Sequence, residues 1–386
     1  MKVATLLAAV TGASAKILWA GVAESSGEFG LWSPDATPGT GLPGVFGKDY
    51  AFIDESTVDI FVDEHKVNLF RVAFVLERMC PLETGLGATF DEEHFGHFKD
   101  AVDYITTTKG AYAILDPHNY MRYNNPSQQP MTGSVIGNTT DETAATTEQF
   151  AAFWGELAGR FADNERVMFG IMNEPHDMPT KLVFDNNQAA VDAIRAAGAK
   201  NLILVPGGQW SGGHSWTEDW GGDLAPNSEF MAKINDPENN FVLDVHEYLD
   251  EDYSGTHTEC VNSFPDNLAK LTAWLKENSL KAMITEFGGS NTTACETQLS
   301  EALQYMEENE EYIGWTAWAA GPFWGPNSAC CTDSRQLGSL EPGSKAADGS
   351  PGLYETLWLK VFQPLIPSTL QWEGPARVSG AAAEDA

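Results

Sequence analysis

The chain has 386 residues, a hydrophobic share of 42% and a formal charge of −33, from 55 acidic against 22 basic side chains. That balance excludes a nucleic-acid partner, because gripping a phosphate backbone takes clustered Lys and Arg, and it argues against an anionic membrane surface for the same reason. No apolar run approaches the roughly 18 to 20 residues that span a bilayer, and a single α/β barrel can run to this length.

At the N-terminus Lys2, the apolar stretch Val3 to Val10 and Ala13-Ser14-Ala15 follow the order of a signal peptide, predicted over 1–15. A secreted, extracellular protein beginning at Lys16 is expected. The sequons at Asn138 and Asn291 fit that route, each weakly. Short apolar, partly β-branched runs then recur: Ile17 to Ala20, Val67 to Phe74, Ala111 to Leu115, Val167 to Met172, Leu202 to Val205, Phe241 to Val245, Ala282 to Ile284 and Tyr312 to Trp318. Between and after them stand helical patterns at Glu55 to His65, Phe95 to Thr107, Glu148 to Phe161, Phe184 to Ala197, Asn267 to Glu277, Glu296 to Asn309 and Leu353 to Phe362, with a weak one at Ser228 to Ile234. Eight βα units predict an α/β fold, a closed (β/α)8 TIM barrel in one domain over 16–373; an open doubly wound sheet is the alternative. Residues 374–386 are small, polar and acidic and read as a disordered tail.

Five cysteines leave at least one unpaired within the chain. Cys260 and Cys295 are the expected pair, since each follows a predicted strand end by a similar stretch. Cys80, Cys330 and Cys331 are not assigned by spacing.

Polar residues interrupt six strand ends: Arg71; Asp116-Pro117-His118-Asn119; Asn173-Glu174-Pro175; His246-Glu247-Tyr248; Thr285-Glu286-Phe287; and Trp318. Any one of them has a plain structural explanation, as a cap neighbour, a satisfied core histidine or an ion-pair partner. In a barrel all six converge on the C-terminal face, where active sites sit, and coincidence is then hard to sustain. Three of the six carry a glutamate, and glycoside hydrolysis needs two facing carboxylates, one protonated and one ionised. Glu174 and Glu286 come from opposite sides of the barrel and can meet over its mouth. Arg71 is expected to hold Glu286 ionised, and that negative charge to raise the pKa of Glu174.

The motifs Asn173-Glu174-Pro175-His176-Asp177, Asp244-Val245-His246-Glu247-Tyr248-Leu249-Asp250, Ser254-Gly255-Thr256 and Thr285-Glu286-Phe287-Gly288-Gly289 make the chain resemble glycoside hydrolase family 5, in its fungal endo-β-1,4-glucanase branch. The resemblance runs from about Ile17 to Trp324. It implies a (β/α)8 barrel, a retaining double displacement with Glu174 as acid/base and Glu286 as nucleophile, and further active-site positions at Arg71, His118, Asn173, His246, Tyr248 and Trp318. Asn119 is expected beside His118 on the sugar hydroxyls. Trp210, Trp216, Trp220 and Trp324 could line flanking sugar sites or staple loops. The segment from Pro326 to Gly352 is longer than such enzymes would be expected to carry.

The partner expected is a β-glucan polysaccharide, met by a monomer without metal or cofactor. Fold and carboxylate pair do not decide the sugar, so a mannanase, xyloglucanase or β-1,3-glucanase stays open. A non-catalytic carbohydrate-binding barrel has no use for both glutamates. A metal-dependent hydrolase is suggested only by Asp116-Pro117-His118 and by His94 near His97, and the chain has neither H-E-x-x-H nor the G-x-S-x-G of a serine hydrolase.

Overall fold

The computed structural model describes residues 17–29, 42–123, 133–323, 339–346 and 348–376. The expected leader, Trp324, the Cys330-Cys331 pair and residues 377–386 lie outside the described residues.

Eight parallel strands close into a barrel: β1 (Trp19–Glu24), β2 (Leu69–Phe74), β3 (Tyr112–Pro117), β4 (Val167–Gly170), β5 (Ile203–Pro206), β6 (Phe241–His246), β7 (Ala282–Glu286) and β8 (Tyr312–Ala320). Each pairs with its neighbours in sequence, and β8 returns to β1 with Trp19 opposite Gly314, so the sheet has no edge. The open-sheet alternative is thereby ruled out. All eight expected strands are present, most extending a residue or more past the predicted C-terminal end. An antiparallel pair, Arg122–Tyr123 with Ser134–Val135, decorates the segment after β3.

Side chains alternate in and out along each strand. Leu69, Tyr112, Ile114, Met168, Leu204, Val242, Met283 and Ile313 form a buried cluster inside the barrel with Trp19. Phe70, Val72, Phe74, Leu115, Phe169, Leu243 and Ile284 belong to the larger cluster shared with the surrounding helices. The same two-residue period carries the inward row from apolar to polar: Leu69 is followed by Arg71, Ile114 by Asp116, Val242 by Asp244 and His246, and Met283 by Thr285. The lower half of the interior is therefore an apolar plug and the upper half a polar floor.

The helices form where sequence signals start them. Thr146 and Gln149 make a capping box before Thr147–Phe161, whose Phe150, Phe153, Trp154, Leu157 and Phe161 are buried at three- and four-residue spacing. Asp91, Ser263 and Thr292 cap Glu92–Asp103, Phe264–Asn278 and Thr293–Glu308. The weak pattern before β6 is two single turns, Asn227–Phe230 and Met231–Lys233.

The lower end of the barrel is covered by the C-terminal segment. The Gln371 N–H donates to Leu18 O at 2.8 Å, the Tyr112 hydroxyl to Gly374 O at 2.7 Å and the Asn240 amide to Ala376 O at 3.1 Å. Ala376 is packed into the inner cluster. This segment supplies backbone carbonyls to the Tyr112 hydroxyl and the Asn240 amide.

Cys260 and Cys295 form the expected disulfide, joining the loop after β6 to the helix after β7. Cys80 is free and buried, and burial pushes its thiol up to about 11, which removes it from thiolate chemistry.

Candidate active site

Arg71, on β2, is 1% exposed and organises the polar floor. Its Nη1 lies 2.6 Å from Glu286 Oε1, and its Nη2 reaches Asn173 Oδ1 at 2.6 Å and Asp116 Oδ1 at 3.1 Å. One planar cation thus ties the upper ends of β2, β3, β4 and β7 together. Burial opposes charge on Asp116, but Arg71 and His118 outweigh it and hold the carboxyl below its ordinary value.

Around this centre the contacts close into a ring. Asp116 Oδ2 is 2.9 Å from His118 Nδ1, and His118 Nε2 is 3.2 Å from Asn173 Nδ2. The His118 ring stacks on Trp318 at 5.2 Å and 19°. The Tyr248 hydroxyl donates to Glu286 Oε2 at 3.1 Å, and His246 Nδ1 lies 2.7 Å from Glu174 Oε1. Eight of the nine expected site residues are therefore gathered at one mouth: Arg71, His118, Asn173, Glu174, His246, Tyr248, Glu286 and Trp318.

Asn119 is the exception. Its Oδ1 accepts from the Leu76 N–H at 2.9 Å, and its Nδ2 donates to both oxygens of Glu77 at 2.9 and 3.1 Å. With both ends of the amide engaged, Asn119 ties the β3 loop to the turn after β2 rather than facing a sugar.

Glu174 has its pKa raised to about 7. Burial is the main cause, opposed by His118 and Arg71 and assisted by Asp116, so the expected cause, the Glu286 charge, is not what dominates. Its backbone stands at φ 42°, the left-handed region, a conformation costing roughly 1–2 kcal/mol for a residue with a side chain. Such strain concentrates where surrounding bonds impose a functional geometry.

A cleft of about 650 Å3 opens beside Glu174, lined among others by Tyr120, His176, Gln209, Trp210, Trp220 and Tyr253. Trp210 is 42% exposed and stacks its other face on His176 at 4.6 Å, and Trp220 is exposed as well. Trp216 is fully buried and is the loop staple. Sequence reasoning singled out Trp210 and Trp220 only as candidates and passed over Gln209, Tyr120 and Tyr253, which sit on loops without a periodic signal. Asp116, Asp244 and Thr285 were visible in the strand-end motifs, but their supporting contacts were not.

Glu174, His246 and Glu286 bring one donor atom each within 4.8 Å of one another, the spacing a metal ion would need. Each donor already has a partner, and the Arg71 cation sits against Glu286, so the arrangement suits sugar chemistry better than a second cation. His94 is no ligand pair with His97: its Nδ1 bonds the Tyr50 hydroxyl at 2.9 Å, while His97 stacks on Phe46.

Two carboxyl groups facing each other over the polar floor of a closed (β/α)8 barrel, beside an aromatic cleft, define a glycoside hydrolase. Residues 32–323 match the family described as Cellulase (glycosyl hydrolase family 5). Endoglucanase 1 of Robillarda sp. is 69% identical over 375 residues, covering 97% of this chain and 96% of that one. Endo-beta-1,4-glucanase B of Aspergillus niger is 38% identical over 310 residues, covering 80% and 82%. The structure of XacCel5A in complex with cellopentaose superposes with a TM-score of 0.76 at 31% identity, covering 91% and 99%. The chain belongs to the family 5 cellulases and is an endo-β-1,4-glucanase.

Proposed function

We propose that the enzyme cuts β-1,4-glucan with retention of configuration, Glu286 attacking the anomeric carbon while Glu174 protonates the departing oxygen. The observation that carries this reading is the approach of a Glu174 oxygen to within 4.8 Å of a Glu286 oxygen. Retaining pairs stand about 5 to 5.5 Å apart, whereas inverting pairs need ~6.5 to 9.5 Å to seat a water. After the first displacement the ionised Glu174 takes a proton from water, which releases the sugar from Glu286.

The neighbouring groups divide the remaining work. Arg71 and Tyr248 hold the two oxygens of Glu286 in place for attack. Asn173 faces the position of the 2-hydroxyl, where a hydrogen bond strengthens as the oxocarbenium-like state forms. Trp318, half-buried against His118, offers a flat apolar face to the sugar whose bond is cut.

The substrate is a soluble or accessible stretch of cellulose or mixed-linkage glucan. XacCel5A, on which this chain superposes, is described in complex with cellopentaose. Parallel assays on carboxymethylcellulose, barley glucan and mannan test the assignment, and preference for mannan would overturn it. Following the anomeric proton signals during early hydrolysis tests retention: β-product first is expected, α-product first would make Glu286 a base acting on water.

Export fits the leader-like N-terminus and the Cys260–Cys295 bridge, since disulfides persist in oxidising compartments. No helix among the described residues is long and apolar enough to cross a membrane. N-terminal sequencing of protein recovered from culture medium should begin at Lys16. The catalytic unit over 16–373, with its C-terminal segment, is proposed to act as a monomer.

A further inference from the structure

Trp318 stands near the end of β8, and its ring can be placed no better than the chain that carries it. Its own N–H donates to Phe287 O at 3.0 Å, beside the nucleophile. The residues that follow are held from two sides. On the β1 side, the Ser25 N–H donates to Ala320 O at 2.9 Å and the Phe323 N–H to Ser26 Oγ at 3.0 Å. The approach there is so close that a Cβ on Gly321, at φ 134°, would meet Ser25 O at 2.0 Å.

The other side is Ser339-Leu340-Glu341, part of the long segment after β8 that no step of the proposed mechanism uses. All three residues are buried. The Leu340 N–H donates to Ala319 O at 2.9 Å, and Glu341 Oε2 accepts from the Gly321 N–H at 3.0 Å. Glu341 Oε1 accepts from the hydroxyl of Thr57, in the short helix Glu55–Asp59, at 2.7 Å. One carboxyl group thus bridges that helix to the residue three places beyond Trp318. It does so against electrostatics. The charged groups facing it among the described residues are Glu24 and Asp54, both acidic. Glu24 is itself wholly buried, with neither oxygen partnered among the described residues. A hydrophobic side chain of similar volume would fill such a pocket without the desolvation penalty, and a fold keeps a local violation of this kind where a site depends on it.

We infer that Glu341 is a positioning residue for the hydrolysis: by fastening Ser339-Leu340-Glu341 to the end of β8 it sets the Trp318 ring against His118 and against the sugar being cut. This rests on Trp318 being the sugar platform, as proposed above. The long segment after β8 then has a use, since its buried turn serves as a strap over the strand end that carries the platform.

The test is a double-mutant cycle on the full-length enzyme, read as kcat/KM on cellotetraose well below the melting temperature of every variant. Glu341→Ala should lower kcat/KM at least about fivefold in the otherwise unchanged enzyme and less than about twofold in a Trp318→Ala background, where the ring it acts through is gone. Tm should fall by the same amount with Glu341→Ala in both backgrounds. Glu341→Gln should recover most of the activity, because its amide oxygen can accept from the Gly321 N–H and its amide nitrogen can donate to Thr57 Oγ1. An equal loss of kcat/KM in the two backgrounds would overturn the inference, and so would parental kcat/KM in a Glu341→Ala enzyme whose Tm has dropped. Should Glu341→Ala not fold, Thr57→Val takes its place in the same cycle: a loss confined to the enzyme that keeps Trp318 is expected, and an equal loss in both backgrounds overturns. Parental kcat/KM in Trp318→Ala alone would instead overturn the platform reading, and the inference with it.

Discussion

His246 Nδ1 lies 2.7 Å from Glu174 Oε1, and the opposite ring nitrogen, Nε2, lies 3.1 Å from Thr285 Oγ1. The Thr285 hydroxyl has one proton and donates it to Asp244 Oδ1, so it must accept from His246 Nε2–H. Burial lowers the His246 pKa, which favours the neutral ring, and a neutral ring protonated at Nε2 presents Nδ1 as an acceptor. An acceptor at that position favours the protonated form of Glu174, the form in which a general acid starts its cycle.

The alkaline limb of the pH profile should report Glu174. Because its pKa is raised to about 7 and the acid must be protonated to act, kcat/KM on oligosaccharides should fall about tenfold per pH unit above that value. Thr285→Val removes the acceptor for His246 Nε2–H and frees the proton to move to Nδ1, where it would stabilise Glu174 as a carboxylate. The limb should then shift down by about half to one pH unit, read from pH–rate profiles. An unmoved limb would mean that Thr285 does not set the His246 tautomer.

Glu286→Gln keeps the shape of the site and removes the attacking charge. Turnover should drop by at least about 10³-fold, while cello-oligosaccharide binding measured by calorimetry stays near that of the parent. Glu174→Ala should behave differently on aryl glycosides, whose leaving groups need little protonation. The glycosyl-enzyme should accumulate, and added azide, which needs no base, should speed its breakdown.

Asn119→Ala separates a fastening role from a sugar contact. It removes the acceptor of the buried Leu76 N–H and the Asn119 bonds to Glu77, which should cost about 1–3 kcal/mol of stability. KM measured well below the melting range should change little. A large rise in KM with unchanged thermal stability would return Asn119 to the sugar site.

Glu24, at the end of β1, is wholly buried, and among the described residues neither of its oxygens has a hydrogen-bond partner. Burial, then Glu341 and Asp54, raise its pKa well above the ordinary value. Glu341 is raised to about 7, by burial first, although it accepts from the Thr57 hydroxyl at 2.7 Å and the Gly321 N–H at 3.0 Å. Folded-state values above the unfolded ones give a contribution fully present below the unfolded pKa and lost as pH rises through the folded one. Tm should therefore fall by at least about 3 °C between pH 5 and pH 8, and Glu24→Gln, which keeps the shape without the ionisation, should flatten that slope. An unchanged slope in the variant would place the pH dependence elsewhere.

The eightfold alternation of apolar strands and amphipathic helices is local information, written at periods of two and 3.6 residues, and it was enough to predict eight βα units, while closure of the sheet into a barrel was decided by the pairing of β8 with β1. The barrel rule then sent Arg71, His118, Asn173, Glu174, His246, Tyr248, Glu286 and Trp318 to one mouth without any distance being known. What a side chain does once there depends on partners far away in sequence, and only the tertiary structure decided it. Asn119 stands next to His118, yet its amide is taken by Leu76 and Glu77, 43 and 42 positions earlier. Trp210 and Trp216 lie six residues apart in one loop, and packing alone makes one a platform and the other a staple. The proton on Glu174 is set by burial and by a relay through His246, Thr285 and Asp244, because desolvation and hydrogen-bond direction exist only when separate strands are brought together.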